Sequence, residues 1–465
     1  MDPNHWNEIL RPTYQGRKFI IATDVLAGVG RTIDRLRGLG AERPFVIAAA
    51  RGTGEVPAPA DAEVAMVMAA GGSHMAWLRN VEAVMHDLPA SVMARIDTWD
   101  PNHEARVLGP FLFSNAPVAR RPMYGGRPGR FISLEDKLVI DDAWDRAFVP
   151  RAPVRVAHLA DDALGRIAAE LDWGSGTVWV GDTTRGWHGG AEVLRWVAGP
   201  HLAGKARDFL VTHAERVRIM PFLEGIPCSI HGIVIDDDVV VVRPIEMLVM
   251  RRREVGIMTY VGTATFYDPP EDIATSMRGV ASRVGELLRR EVEYSGAFTV
   301  DGVASELGFL PTELNPRLGA GLFRAVRSLE QPWLLGLQRA LVEGEQLDYR
   351  PRELERVLVA EADANRNGVA FVMINDIPDQ TTELHLAFDG GEPSRVDAAG
   401  ADATAEWGPG TNGGALTLRF NSERTPIGPS IAARAAAALR VAGDHLGIEI
   451  PEYEPARDVH RSRAP

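Results

Sequence analysis

Apolar and polar residues alternate along the first quarter of the chain in a way that predicts short strands separated by helices. Residues 18 to 130 contain the apolar runs "KFIIATDVL", "PFVIAAA", "AEVAMVMAA" and "RVLGPFLFS". Between the first two runs, "GRTIDRLRGLG" places Ile33, Leu36 and Leu39 on one helical face. Strand, helix and strand in this order predict a small parallel α/β unit. The Gly, Pro and Arg residues of 120–130, "RRPMYGGRPGR", predict a linker or a mobile loop at its end.

The middle of the chain, roughly 131 to 340, mixes helical patterns with paired strands. The segment "RVRIMPFLEGIPCSIHGIVIDDDVVVVRPIEMLVM" holds three apolar strand-like runs, and the acidic turn at 236–238 predicts a hairpin between the last two. The segment "DIATSMRGVASRVGELLRREVE" carries apolar residues at helical spacing and predicts a helix. The segment "GAFTVDGVASELGFLPTELNP" predicts two antiparallel strands joined around "SELG". We therefore expect this region to be α+β.

The last region, 341 to 465, adds short strands such as "GVAFVMIND" and "ALTLRF" and the alanine-rich helix "IAARAAAALRVAGDHLG". A chain of 465 residues is too long for one compact core. We therefore predict three units: an N-terminal α/β domain at 1–130, a central domain at 131–340 and a C-terminal α/β domain at 341–465.

Composition narrows the class of protein. The chain is 45% hydrophobic and 24% charged, and it has no window of about 18 apolar residues that would span a membrane. Its first residues, "MDPNHWNEILRPTYQGRK", lack the basic start and apolar core of a signal peptide, so we expect a cytoplasmic protein with no membrane partner. The net charge of -13 argues against nucleic acid as a partner. The single cysteine, Cys228, excludes an internal disulfide and a Cys-based zinc site.

Three polar residues on the predicted strand pair have the chemistry of a magnesium site. Glu313 and Asn315 are two positions apart, so they project to the same face of their strand, and Asp301 on the preceding strand can lie opposite them. Hard oxygen donors of this kind suit Mg²⁺, which usually bridges to substrate phosphates. Arg317 adds a fixed cation next to this group. A solvent-facing polar stripe is the alternative interpretation of the same pattern.

Two further stretches offer contacts to phosphate. The chain has only three lysines, so Lys137 in "FISLEDKLVIDD" stands out as a point charge for nucleotide phosphates, although a surface lysine is the alternative. Residues 178–194, "VWVGDTTRGWHGGAEVL", combine a strand with a glycine loop whose backbone N–H groups can surround phosphate oxygens, with Arg185 or His188 adding charge. A long hairpin turn is the alternative here, and the loop lacks the Gly-Lys-Ser/Thr of a Walker A motif.

A fourth stretch, "IMPFLEGIPCSI", suits a hinge between two lobes. Backbone groups of such a hinge can recognise an adenine edge, and the carboxylate of Glu224 can take ribose hydroxyls. An ordinary strand, turn and strand is the alternative.

Other motifs are weaker. "AGVGRTI" has Ile33 where the dinucleotide fingerprint needs a third glycine, which leaves a dinucleotide-dependent oxidoreductase as a remote alternative. Cys228 suits a packed core better than a nucleophile, and His231 suits a structural role better than that of a base.

Taken together and in this order, the four stretches resemble the ATP-grasp superfamily of carboxylate–amine ligases. Members of that superfamily present an Asp-Lys pair, a glycine-rich loop, an adenine-binding hinge and a closing Glu-x-Asn-x-Arg motif. The chain has "DK", "RGWHGG", "PFLEG" and "ELNPR" in these places, over about 131 to 325. The resemblance implies an α/β ATP-grasp fold with a hinge near 221–225, a Rossmann-like pre-ATP-grasp domain before it and a small C-terminal domain after it.

The resemblance also implies roles for individual residues. The implied metal ligands are Asp301, Glu313 and Asn315, the catalytic residues are Arg317 and Lys137, and the ATP-binding residues are Lys137, Arg185, His188, Gly189, Gly190, Pro221, Phe222, Leu223 and Glu224. The backbone C=O of Pro221 and N–H of Leu223 would read adenine, and Glu224 would lie near the ribose. Arg317 would lie beside the transferred phosphoryl group and the substrate carboxylate.

The implied reaction joins a small-molecule acid to an amine or peptide through an acyl phosphate, with ATP and Mg²⁺ as cofactors. Within the superfamily, the amino-acid sequences of the hinge and closing motifs are most like those of peptide ligases of antibiotic biosynthesis. Two positions depart from the family: Val180 and Gly181 stand where a second lysine is common, with Arg185 as a substitute, and Pro227 replaces a frequent hinge glutamate. The missing lysine supports an alternative, a catalytically weakened ATP-binding module that acts as a regulator or partner. Association of two copies of the chain into a homodimer is a further alternative that the sequence leaves open.

Overall fold

A computed structural model describes residues 3–52, 54–69, 74–109, 115–184, 189, 191–327, 331–390, 392–410 and 413–460. Across these ranges the strands form three sheets, one parallel and two antiparallel. Among the same residues, no helix combines the length and the apolar character that crossing a bilayer requires.

The N-terminal sheet is parallel, as the alternation of runs predicts. Its strands lie in the order β3-β2-β1-β4, with one helix between β1 and β2 and two helices between β3 and β4. The elements are α1 (Pro3–Tyr14), β1 (Phe19–Val25), α2 (Gly30–Gly38), β2 (Phe45–Ala50), β3 (Glu63–Met66), α3 (His74–His86), α4 (Ala90–Trp99) and β4 (Arg106–Leu108). On α2, Ile33 and Leu36 are buried, and Leu39 is buried just after the helix, so the predicted apolar face is the face that packs.

The first part of the segment 120–130 packs against the N-terminal sheet, so the expectation of a mobile loop is wrong there, and its role as a linker stays a prediction. Arg121 is fully buried, and its guanidinium pairs with Asp97 and Asp100 at 2.6 and 2.9 Å. Met123 lies beside Val107 of β4 in a parallel bridge. The composition suggested a loop because the arginine partners are more than 20 positions away along the chain.

A small antiparallel sheet follows, with strand order β5-β8-β6-β7. Helices α7 and α8 of this unit supply the apolar side chains that cover one face of it. The elements are α5 (Gly129–Ile132), α6 (Ile140–Arg146), β5 (Arg155–His158), α7 (Leu164–Leu171), β6 (Thr177–Gly181), β7 (Leu194–Val197), α8 (Pro200–Leu210) and β8 (Arg216–Pro221).

The third sheet contains eleven of the described strands, all antiparallel, in the order β14-β13-β9-β11-β12-β15-β19-β18-β16-β17, with β10 also paired to β9. The first strands of this sheet and the helices between and after them are β9 (Gly225–Ile235), β10 (Asp238–Val241), β11 (Ile245–Arg252), β12 (Ile257–Ala264), α9 (Glu271–Val292), β13 (Gly296–Ser305), β14 (Gly308–Asn315), α10 (Ala320–Ala325), α11 (Gln331–Val342) and α12 (Pro351–Ala364). The remaining elements are β15 (Gly368–Ile374), β16 (Thr382–Ala387), β17 (Ser394–Arg395), β18 (Ala403–Gly410), β19 (Gly413–Phe420) and α13 (Ala432–Leu446).

Both predicted hairpins of the central region are present in this sheet. Asp238 pairs with Ile235 where β9 turns into β10, and β13 and β14 pair on either side of "SELG". The third apolar run, expected to be one strand, is split into β10 and β11 around Pro244. A proline has no backbone N–H to donate to the ladder, so the run is interrupted there. The apolar face of α9, including Met277, packs beneath β9, β13 and β14.

Candidate functional site

A cavity of about 360 Å³ lies between the small sheet and the large sheet. Its residues come from both sheets and from the segments that follow α5 and β14. One part of the wall is apolar: Val178, Val180, Leu194, Met220, Phe222, Leu223, Met247, Val249 and Met258. The other part is polar and charged: Lys137, Arg218, Asp301, Glu313, Asn315 and Arg317. A flat apolar group with a charged tail would match this division.

The predicted metal ligands meet at the polar end because of strand register. Asp301 of β13 lies directly opposite Glu313 of β14, and Thr299 lies opposite Asn315. Residues that face each other across an antiparallel pair project to the same side of the sheet. The Asn315 amide donates a hydrogen bond from Nδ2 to Asp301 Oδ2 at 3.0 Å, and the Ser229 hydroxyl donates to Asp301 Oδ1 at 2.5 Å.

The environment of Asp301 strongly favours added positive charge. Burial and the nearby charge of Glu313 raise the pKa of Asp301 to about 7, against the opposing effect of the Ser229 hydrogen bond. Two carboxylates held this close in a partly buried place repel each other, and a bound cation would relieve that repulsion.

The donor set of these residues fits Mg²⁺. Two carboxylates and a carboxamide are hard oxygen donors, and a magnesium ion typically takes few protein ligands of this type. Within the described ranges, no three His, Cys, Asp or Glu side chains are placed to hold a metal. The magnesium hypothesis therefore depends on the carboxamide of Asn315 acting with Asp301 and Glu313.

Both predicted catalytic cations reach the same group. Lys137 Nζ lies 3.0 Å from Glu313 Oε1. The Arg317 guanidinium donates from Nη2 to Asn315 Oδ1 and from Nε to Glu135 Oε1, both at 2.9 Å. Glu135 is buried and also pairs with Arg127, so one carboxylate holds two arginines in place. Glu135 is assigned no role from the sequence.

Three of the four predicted hinge residues lie at the apolar end of the cavity, and Glu224 does not. Pro221, Phe222 and Leu223 line the cavity, and the Phe222 ring stacks on Trp196 at a centroid distance of 4.4 Å. Glu224 does not line the cavity. Its carboxylate accepts hydrogen bonds from Arg251 Nη1 at 2.9 Å and from the Ser175 hydroxyl at 3.2 Å. A ribose contact from Glu224 would have to compete with these two partners.

The glycine loop is described only in part. Arg185, His188 and Gly190 lie outside the described residues, and Gly189, which is described, does not line the cavity. Thr183, just before this gap, donates its hydroxyl to Asp136 Oδ2 at 2.9 Å, which links the start of the loop to the predicted Asp-Lys pair.

His231 lines the cavity as a fully buried ring, and the structural role suggested by the sequence stays a prediction. Burial lowers its pKa to about 3, so the ring is neutral, and its Nδ1 lies 2.8 Å from the Thr299 hydroxyl. The ring packs against Gly319, just before α10, and against Gly321 in the first turn of α10.

Several cavity residues were missed from the sequence, among them Arg218, Ser229 and Tyr260. Alternation along the strands contained a usable signal for two of them. Arg218 is the polar residue inside the apolar run "RVRIMP", and Ser229 shares a strand face with His231. Their partners, Asp141 and Asp301, are 77 and 72 positions away, so only the tertiary structure pairs them.

Comparison with solved structures identifies the fold. The chain resembles an N5-carboxyaminoimidazole ribonucleotide synthetase solved as an ADP complex, with 14% sequence identity, a TM-score of 0.50 and coverage of 93% of this chain and 98% of that one. It also resembles the biotin carboxylase domain dimer of Hydrogenobacter thermophilus 2-oxoglutarate carboxylase, solved with MgADP, ADP and bicarbonate, with 15% identity, a TM-score of 0.52 and coverage of 95% and 91%.

A third likeness is to Rhizobium etli pyruvate carboxylase solved with acetyl coenzyme A, with 14% identity, a TM-score of 0.53 and coverage of 92% of this chain and 37% of that one. No protein-family model and no curated protein sequence matches the chain. At these identities the likenesses show the fold, and the ATP-grasp fold predicted from the sequence is confirmed.

Proposed function

We propose that the chain is an ATP-dependent ligase that joins a carboxylate to an amine. The observation that carries the proposal is the cavity itself, in which two carboxylates, a carboxamide and two cations meet at one end of an apolar cleft between two antiparallel sheets. A nucleotide fits that division, with its base against Phe222 and Met220 and its phosphates toward Lys137.

In the proposed reaction a carboxylate oxygen of the acid attacks the γ-phosphorus of ATP. The bond from that phosphorus to the β–γ bridging oxygen breaks, ADP leaves, and an acyl phosphate remains. The amine nitrogen then attacks the acyl carbon, inorganic phosphate leaves with the bonding electron pair, and the nitrogen loses a proton to give the amide.

The side chains act mainly through position and charge. Mg²⁺ held by Asp301, Glu313 and Asn315 would neutralise phosphate charge and orient the chain of phosphates. Lys137 and Arg317 offset negative charge that develops as the phosphoryl group moves. The guanidinium of Arg317 is oriented before the substrates bind, because it donates hydrogen bonds to Glu135 and Asn315.

The substrates are proposed from resemblance in the motifs. The segments "PFLEGIPCSIHG" and "FLPTELNPRLGAG" are similar in sequence to those of the peptide ligase of pheganomycin biosynthesis. That similarity supports an amino acid or related acid as acyl donor and an amino acid or peptide as acceptor, in the biosynthesis of a natural product. The fold alone does not select a substrate.

The test is a screen of ADP release across acids and amines, followed by trapping with hydroxylamine. With ATP and the true acid, hydroxylamine should intercept the acyl phosphate and give a hydroxamate. Glu313→Ala should lower ADP release by about a hundredfold or more, because a charge stabiliser at the reacting phosphate is lost.

Glu306→Ala is the matched control, since Glu306 is an exposed glutamate in the turn of the same hairpin. It should retain wild-type activity. Binding of ATP without any acid-dependent ADP release would instead favour the regulatory module, and equal rates for both glutamate variants would refute the assigned site.

A further inference from the structure

Arg218 is a buried cation on the wall of the proposed nucleotide cavity. It belongs to β8, it is 2% exposed, and it lines the cavity beside Met220 and Pro221. A guanidinium is seldom this deeply buried unless its charge is compensated. The hydrogen bonds of its three guanidinium nitrogens show which N–H donors already have a protein partner and which could bind a ligand.

Two of its three nitrogens are committed to one carboxylate. Nε donates to Asp141 Oδ2 and Nη2 donates to Asp141 Oδ1, both at 2.7 Å. This bidentate pair fixes the plane of the guanidinium. Asp141 belongs to α6 and does not line the cavity, so it supports Arg218 from the protein side.

The third nitrogen, Nη1, has a weak partner. It lies 3.0 Å from the sulfur of Met220, and a thioether is a poor hydrogen-bond acceptor. Met220 itself lines the cavity. Nη1 therefore offers N–H donors at the cavity wall that a phosphate oxygen would satisfy far better than sulfur does.

The place of Arg218 along the cavity matches a phosphate rather than a base. In the sheet it lies directly opposite Val180 of β6, which precedes the glycine loop, and both residues line the cavity. The apolar hinge end begins with Met220 and Phe222, two and four positions further along the chain. Arg218 lies two positions before Met220 on β8, and its partner Val180 lies two positions after Val178, the partner of Met220, on β6. On both strands this places Arg218 away from the hinge and toward the glycine loop.

We propose that Arg218 binds an oxygen of the nucleotide's phosphate chain through Nη1, with Asp141 as the residue that positions it. The uncharged Val180 and Gly181 leave β6 without a cation, and Arg218 supplies one from the neighbouring strand. This inference rests on the proposed function, since it assumes that the cavity takes ATP.

The experiment measures binding of adenosine, AMP, ADP and ATP by isothermal titration calorimetry, which requires neither the acid nor the amine. Arg218→Met should weaken ADP and ATP binding by about tenfold to a hundredfold, the usual effect of losing a charge-assisted hydrogen bond, and leave adenosine binding unchanged. Arg216→Met, on the same strand but half-exposed, is the matched control and should bind all four ligands as the wild type does.

A second variant covers the case in which Arg218→Met fails to fold because Asp141 is left buried and unpaired. In Arg218→Met/Asp141→Asn no uncompensated charge remains, and the same selective loss of ADP and ATP binding is expected. ADP binding by a folded variant within twofold of wild type would overturn the assignment of Arg218 alone. Failure of the wild-type protein to bind any of the nucleotides would overturn the proposed function instead.

Discussion

Two glycines, Gly319 and Gly321, set how closely the start of α10 approaches the large sheet. A Cβ atom at position 321 would lie 2.4 Å from His231 Nε2, and one at position 319 would lie 2.4 Å from the Thr299 hydroxyl. The absence of side chains at these two positions lets the backbone lie against His231, and all three residues line the cavity.

Substitution of Gly321 should therefore be costly. Gly321→Ala forces a methyl group against the buried His231 ring, and we expect the free energy of unfolding to fall by about 1–3 kcal/mol, as for other overpacked sites. Urea denaturation followed by circular dichroism measures this change.

Gly204→Ala is the control for that measurement. Gly204 lies in α8 with no atom within 4 Å of the added Cβ, so this variant should be more stable by about 0.5–1 kcal/mol. Equal stability of Gly321→Ala and the wild-type protein would show that the start of α10 moves away from His231 without cost.

The junction between β11 and α13 depends on one buried carboxylate. Glu246 is fully buried, accepts a hydrogen bond from the Ser430 hydroxyl, and accepts another from the backbone N–H of Ile431 at 3.2 Å. These donors stand at the start of α13, where the first N–H groups of a helix have no partner within it. Glu246 thereby attaches the C-terminal helix to the large sheet.

This junction should make stability depend on pH. Burial raises the pKa of Glu246 from its ordinary value of 4.5 to about 7. Between these values the folded protein holds a proton that the unfolded chain has released, so the free energy of unfolding should fall as the pH rises from about 4.5 to about 7, by about 3 kcal/mol.

Urea denaturation at about pH 5 and about pH 8 tests this prediction against Glu246→Gln, which cannot ionise and keeps one acceptor oxygen. The stability difference between the two pH values should be smaller in the variant by the amount given above. The same difference in both proteins would mean that Glu246 does not titrate in this range.

In the molecule as a whole, the large sheet runs through the boundary expected near residue 340. Strand β12 pairs with β15, and Ala264 lies opposite Gly368. The side chains of Leu248, Met250 and Val261 are fully buried in a cluster that also contains residues of β19 and α13. The three-domain division stays a prediction, and in the described residues the C-terminal strands continue the sheet of the central region.

A chain cut after residue 365 should consequently fail to fold as a monomer. The edge of β12 would lose its partner strand, and the apolar cluster around Leu248 would face water, which favours aggregation. Size-exclusion chromatography and thermal melting of residues 1–365, next to the full chain, provide the measurement. A monomeric fragment with a cooperative melting transition would support an independent C-terminal domain.

Local pattern predicted much of the fold and the centre of the site. The period of two along β14 places Glu313 and Asn315 on one face, and the hairpin around "SELG" brings Asp301 opposite them. Both inferences depend only on neighbours along the chain and on the geometry of a strand. For the same reason, the helix α9 and the parallel N-terminal sheet followed from apolar spacing.

The sequence by itself therefore determined the strand faces, the fold class and the residue types that meet a nucleotide in the proposed site. Only the tertiary structure decided which charges compensate one another: Arg218 with Asp141 across 77 positions, and Arg317 with Glu135 across 182. Periodicity shows which face of an element a side chain occupies, but the partner on the next element depends on how sheets and helices pack. That packing is settled by burial of apolar surface over the whole chain, which no short stretch of sequence contains.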